Sequence, residues 1–105
     1  MATNRIEILE QMLQQDPKNS FARYGLAMEC AKAGNLDRAV AEYRTLIAND
    51  PAYLAAYFHA GQTLEKMARL DEARTIYEQG VAAAAAKGDG HTLAEIRAAL
   101  DLLPV

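Results

Sequence analysis

A chain of 105 residues is long enough for one domain that buries about 60–70% of its unfolded surface, and a second independent core is not expected. A composition of 51% hydrophobic and 24% charged residues argues against disorder. The net charge of -3 arises from 11 basic and 14 acidic side chains scattered along the chain, which excludes the basic stripe that a phosphate backbone requires, so nucleic acid is not an expected partner.

The single cysteine, Cys30, leaves no internal disulfide, and packing must hold the chain together. The opening residues Met1 to Glu7 lack the apolar run of a signal peptide, and no segment reaches bilayer-spanning length. No membrane association and a cytoplasmic location are therefore expected.

In chain order, Ile6, Leu9, Met12 and Leu13 form an apolar stripe at helical spacing, and Asn4 with Glu7 predicts a capping box at its start. Asp16-Pro17 ends this helix, because a residue before proline is pushed out of the helical region. A second helix is expected from Asn19 or Ser20 to Ala33, with Leu26, Ala27 and Cys30 on one face, broken at Gly34-Asn35. A third starts near Leu36 and buries Ala39, Val40, Tyr43, Leu46 and Ile47 until Asp50-Pro51 stops it. The fourth spans Tyr53 to Met67, and the fifth runs from Leu70 through Ala86. Beyond the break at Gly88-Asp89-Gly90, Thr92 and Glu95 predict a second capping box, and Leu93, Ile96, Leu100 and Leu103 give a last helix its apolar face. No segment alternates with the period of a strand, so the fold class is all-α, with six antiparallel helices on short joints.

The two Asp-Pro stops lie one fixed interval apart, and residues 20–53 align with 54–87. Leu36, Asp37, Ala39 and Tyr43 recur together as Leu70, Asp71, Ala73 and Tyr77. A two-helix unit of this period, with Tyr57, Ala60-Gly61, Leu64, Ala73 and Tyr77 in order, resembles the tetratricopeptide repeat. In the first copy Leu26-Ala27, Cys30, Ala39, Tyr43 and Pro51 match the same places, while Arg23 stands where an aromatic is expected. The resemblance implies antiparallel helix pairs stacked as a short right-handed α-solenoid. It divides a single domain over residues 1–105 into an N-terminal capping helix over 4–17, repeats over 20–53 and 54–87, and a C-terminal capping helix over 91–103. Small residues at Ala27, Gly61, Ala39 and Ala73 suit close helix approach, and Tyr43 and Tyr77 fill the opening toward the next unit.

Among residues that could carry chemistry, Cys30 has no histidine on its own helix, and its counterpart is Leu64, so it is expected in the core. His59 and His91 are isolated and give no metal-ligand spacing. Glu65 with Arg69, Arg74 with Glu78, and Arg97 with Asp101 fall at i,i+4, as on a solvated helix face. No catalytic constellation, metal site or cofactor loop is found, and none is expected.

The resemblance further implies that the opening helix of each repeat lines a groove. Carried over by offset, this groove holds Phe21, Tyr24, Met28 and Lys32 beside Ala55, Phe58, Gln62 and Lys66, with Thr92 and Ile96 extending the row. An apolar floor beside two lysines suits a protein partner's extended or helical peptide with aliphatic anchors and an acidic group. The expected function is a non-enzymatic docking module. The alternative is self-assembly, with the groove or Leu102, Leu103 and Val105 sealing a homodimer, so that the protein is a monomer or a homodimer.

Overall fold

The computed structural model describes the backbone of residues 2–104 and the side chains of residues 5–104. Six helices follow one another: α1 (Ala2–Gln15), α2 (Ser20–Lys32), α3 (Leu36–Asn49), α4 (Leu54–Lys66), α5 (Leu70–Lys87) and α6 (Gly90–Asp101). The described residues contain no strand. Each helix packs chiefly on its neighbours in sequence, and the stack is a flattened body of 39 × 29 × 19 Å. The architecture is an all-α helical repeat solenoid.

The joints repeat as the sequence does. At the end of α2, Asn35 N–H donates to the Cys30 carbonyl and Gly34 N–H to that of Ala31. At the end of α4, Arg69 N–H reaches Leu64 and Ala68 N–H reaches Glu65 in the same way. Both are Schellman closures, which require one residue in the left-handed region. Gly34 supplies it at φ +86°, and Ala68 adopts it at φ +59°. The α5–α6 joint closes in the same way at Gly88, φ +76°, and the joints after α1 and α3 turn at Asp16-Pro17 and Asp50-Pro51, where Asn19 N–H returns to the Asp16 carbonyl and Tyr53 N–H to that of Asp50.

Caps correct two expectations. Helix α1 already begins at Ala2, so Asn4 lies inside it instead of capping it, and the Asn4 side chain falls outside the described residues. At α6 the cap is Asp89, not Thr92. The Asp89 carboxylate accepts from Thr92 N–H at 3.0 Å and from the Thr92 hydroxyl at 2.8 Å. A carboxylate at the N-terminus also meets the positive end of the helix dipole, which a threonine cannot exploit. Asn19 and Asn35 cap α2 and α3 by accepting from Ala22 and Arg38 N–H.

The core runs as one continuous seam through the stack, from Leu13 and Leu26 through Tyr43, Leu64 and Tyr77 to Ile96 and Leu103. Its tightest contacts are set by glycine. A Cβ on Gly61 would overlap the Tyr77 ring, whose Cδ1 would stand only 2.6 Å away. One on Gly80 would meet Tyr57 Cβ at 2.7 Å and Ile96 Cδ1 at 3.1 Å. Helices α4, α5 and α6 thus approach closely because two glycines and two tyrosines interlock.

The expected stripe of α1 is only partly buried: Leu13 is in the core, whereas Met12 is exposed together with Ile8. These two residues lie on the side of α1 that no described helix covers. Among the described residues the three expected i,i+4 ion pairs do not form, and several of their members take other partners. Arg69 grips Glu72 and approaches Asp37 at 3.8 Å, Arg74 donates to the Pro104 carbonyl, and Glu65 accepts from the Tyr77 hydroxyl. Arginines on these helices reach neighbouring helices, where an ion pair also fixes the stacking.

Candidate functional site

Helices α2, α4 and α6 form one face of the stack, and two clefts open on it. The first, of about 250 Å³, lies between α4 and α6 and is lined by Leu54, Ala55, Phe58, His59, Thr92, Glu95 and Ile96. The second, of about 190 Å³, lies between α2 and α4 and is lined by Met28, Ala31, Lys32, Tyr43, His59, Gln62, Thr63 and Lys66. His59 belongs to both. The two clefts flank α4 and share the His59 side chain as a wall, so the face is grooved on both sides of this helix.

Aromatic contacts between helices build the centre of this groove. The Tyr24 ring lies 5.3 Å from that of Tyr53 and 5.7 Å, edge-on, from His59. Tyr43 stacks on His59 at 6.4 Å with the planes 16° apart, and Phe58 meets the same imidazole edge-on at 5.6 Å. Half-buried in this cluster, the His59 imidazole is held below its ordinary pKa by loss of water, which disfavours its charged form. Burial likewise pushes the Tyr24 hydroxyl up, with Tyr53 adding to the effect. Beneath the ring, Thr63, one turn on, donates its hydroxyl to the His59 carbonyl at 2.8 Å, which satisfies the one buried polar side chain of α4.

The groove residues expected from sequence differ in how they meet the clefts. Phe58, Lys66, Gln62, Met28, Lys32 and Ala55 line the clefts. Phe21 is 73% exposed and Met28 39% exposed, so both offer apolar surface to solvent on α2. Tyr24 is half-buried and spends one ring face on Tyr53 and His59. Ile96 is a correction. It lines the first cleft but is fully buried, because its side chain inserts toward Gly80 and closes the cleft from beneath.

His59 is the residue that spacing along the chain missed. Its isolation from other histidines and cysteines argued against a metal and carried no further signal, since two of its three aromatic partners, Tyr24 and Tyr43, come from other helices. A usable hint was the repeat itself. His59 stands where the first repeat has Gly25, and the Leu9–Gly25 contact, 3.3 Å to a Cβ built there, is the counterpart of the Tyr43–His59 contact.

Among the described residues no group of three or more His, Cys, Asp or Glu could hold a metal ion, and no helix is long and apolar enough to cross a membrane. Cys30 is buried, and desolvation pushes its thiol pKa up, away from a reactive thiolate.

The sequence profile of the tetratricopeptide repeat matches residues 6–49 and 30–100. The chain belongs to the tetratricopeptide repeat family. It is similar to a TPR repeat-containing protein of Pseudomonas aeruginosa, at 36% identity over 84 residues, which covers 80% of each chain. Among solved structures it is similar to a tetratricopeptide repeat domain protein of Salinibacter ruber, at 38% identity and a TM-score of 0.76, covering 81% of this chain and 86% of that one. The TPR2B domain of yeast Sti1, solved in complex with pHsp70, shares the fold with a TM-score of 0.86 at 18% identity, over 94% of this chain and 79% of its own.

The tetratricopeptide pattern also describes the outer side of α6. The buried positions Ala60, Gly61 and Leu64 of α4 fall, one period on, at Ala94, Glu95 and Ala98, all exposed. Glu95 stands where Gly61 must be bare for a tyrosine to close, and it pairs with His91 at 3.3 Å.

Proposed function

We propose that this chain is a non-enzymatic protein-interaction module that takes a segment of a partner protein in the groove formed by α2, α4 and α6. The observation that carries this reading is the pair of clefts that share His59, flanked on the same face by the exposed side chains of Phe21 and Met28. An apolar floor with a few polar groups, Gln62, Thr92 and the two lysines, is the make-up of a peptide site. The Sti1 domain, of the same fold, was solved with pHsp70, so the architecture is compatible with a bound partner.

Homodimer formation through the C-terminal residues has less support. Leu103 is buried, Leu102 is 85% exposed, and Val105 lies outside the described residues. A single leucine is a small fraction of the roughly 800 Å² per partner that a stable interface needs.

The Phe58→Glu variant places a charge in the first cleft without disturbing the Gly61–Tyr77 interlock. Partner capture from a lysate of the source organism is expected to be lost while helical circular dichroism is retained. Unchanged capture would remove the groove from consideration. Light scattering over a dilution series tests the dimer, which predicts a mass that falls on dilution.

A further inference from the structure

We infer that the groove selects extended internal segments of a partner protein in which an apolar side chain and a carboxylate side chain stand about four residues apart. The apolar side chain sits over Phe58 in the first cleft, and the carboxylate sits between Lys32 and Lys66 in the second. This deepens the reading of the α2–α4–α6 face as the binding surface and rests on it.

Charge accounting points to the two lysines. Of the 11 basic side chains, most are already committed. Arg5 pairs with Glu29, Arg23 with Glu42, Arg38 with Glu10 and Glu42, Arg44 with Glu72, and Arg69 with Asp37 and Glu72. Arg74 and Lys87 donate to the carbonyls of Pro104 and Ala52. Among the described residues, the side chains of Lys18, Lys32, Lys66 and Arg97 pair with no carboxylate and donate to no carbonyl, and of these four only Lys32 and Lys66 line the second cleft. The acidic residue of the groove, Glu95, lies in the first cleft, on the far side of His59. The groove is therefore polar along its length, with a cationic end and an apolar end.

Its dimensions set the spacing. Along α4 the rise from Phe58 to Lys66 is about 12 Å at ~1.5 Å per residue. An extended peptide covers that distance in about four residues at ~3.3 Å each. Both lysines are exposed and sit on separate helices, with Met28, Ala31 and Gln62 between them. Such an open rim admits a continuing chain, so the matching carboxylate is an Asp or Glu side chain and not a chain terminus. Gln62, exposed beside the lysines, can hydrogen-bond the backbone of a strand-like segment.

Both lysines also occupy the last turns of their helices, where a cation complements the dipole. That role acts on stability and not on partner choice, so the two are separable. The test is selection from a random nonapeptide library displayed with each peptide's C-terminus fused to its carrier, on wild type and on two variants. Wild type should enrich peptides with an aliphatic or aromatic residue and an Asp or Glu three to five positions apart. A fluorescent synthetic copy of the leading peptide should lose about tenfold in affinity to the Lys32→Gln/Lys66→Gln double variant, and a similar factor when its own acid is amidated. Its affinity should also fall as salt rises from about 50 to about 500 mM, while the melting temperature of the double variant stays close to wild type. Enriched peptides without an acid, or affinity unchanged in the double variant, would overturn this inference and leave the groove as the docking surface. Acid dependence found only in a library with free C-termini would overturn the assignment to side chains. Enrichment of the same peptides on Phe58→Glu, or no enrichment at all, would overturn the groove itself.

Discussion

The two full repeats, residues 20–53 and 54–87, reach the same geometry with different side chains, and the differences come in matched pairs. Tyr57 donates its hydroxyl to the Pro51 carbonyl at 2.6 Å. One period earlier Arg23 donates from its guanidinium to the Pro17 carbonyl at 2.9 Å. An arginine thus makes the bond expected of an aromatic, and its second arm takes Glu42 at 2.6 Å, with both side chains largely buried. The small position changes in step. Gly80 is bare against Tyr57, whereas Leu46, its counterpart, fills the core of the repeat that has Arg23 instead. Likewise the buried Ala27 stands one period before Gly61, which faces Tyr77, and Gly34 turns where Ala68 turns. The repeat conserves contacts and turns, and residue identity follows whatever the partner position holds.

Exchanging one member of a pair breaks this correspondence, and the largest effect is expected at Gly61. The Gly61→Ala variant should lose about 1–3 kcal/mol in urea denaturation, because the overlapping Tyr77 ring is held at its hydroxyl by Glu65 and cannot swing away. The reciprocal Ala27→Gly should lose only about 1 kcal/mol, the helix-propensity cost of glycine. Equal losses at the two sites would show that the interlock of repeat two is not special.

A smaller effect of opposite sign is expected at the joint. Ala68 holds φ +59° where repeat one has glycine, so Ala68→Gly should stabilise the protein by about 1 kcal/mol, read as a shifted denaturation midpoint at unchanged slope. No gain would mean that the left-handed turn is relaxed by its two closing hydrogen bonds.

The smallest effect is on pH dependence, and it belongs to repeat two alone, since Gly25 stands in the place of His59. Burial lowers the His59 pKa, so below the ordinary imidazole value the unfolded chain binds more protons than the folded one. Stability should therefore fall as pH drops through that value, levelling off once the folded state also takes up the proton. His59→Gln should flatten this loss in urea titrations run from about pH 7.5 to about pH 5. An identical pH profile in the variant would assign the dependence elsewhere.

Much of the fold was legible in the sequence because the signals are local or periodic. Asp16-Pro17, Asp50-Pro51 and Gly34-Asn35 marked joints through backbone sterics that act within a few residues. Ala27, Gly61, Ala39, Ala73, Tyr43 and Tyr77 marked the packing seam, and all are buried. The groove was legible only in outline. Offset arithmetic brought Phe58, Gln62, Lys32 and Lys66 to one face, but it treated Ile96 as groove surface and His59 as isolated. Both depend on how neighbouring helices cross: Ile96 is drawn inward by the gap at Gly80, and His59 gains Tyr24 from α2 and Tyr43 from α3 beside its chain neighbour Phe58. The i,i+4 ion pairs failed for the same reason, since Arg69 reaches as far as Asp37 on another helix.

The sequence by itself determined where the chain turns, which residues share a helix face and that the unit recurs, because backbone sterics and helical periodicity act at short range. Only the tertiary structure decided that His59 stands between two clefts, that Arg23 does the work of a tyrosine, and that Lys32 and Lys66 have no carboxylate partner among the described residues. Those properties are relations between helices, set by side-chain volume at the contacts, and no spacing along a single chain encodes them.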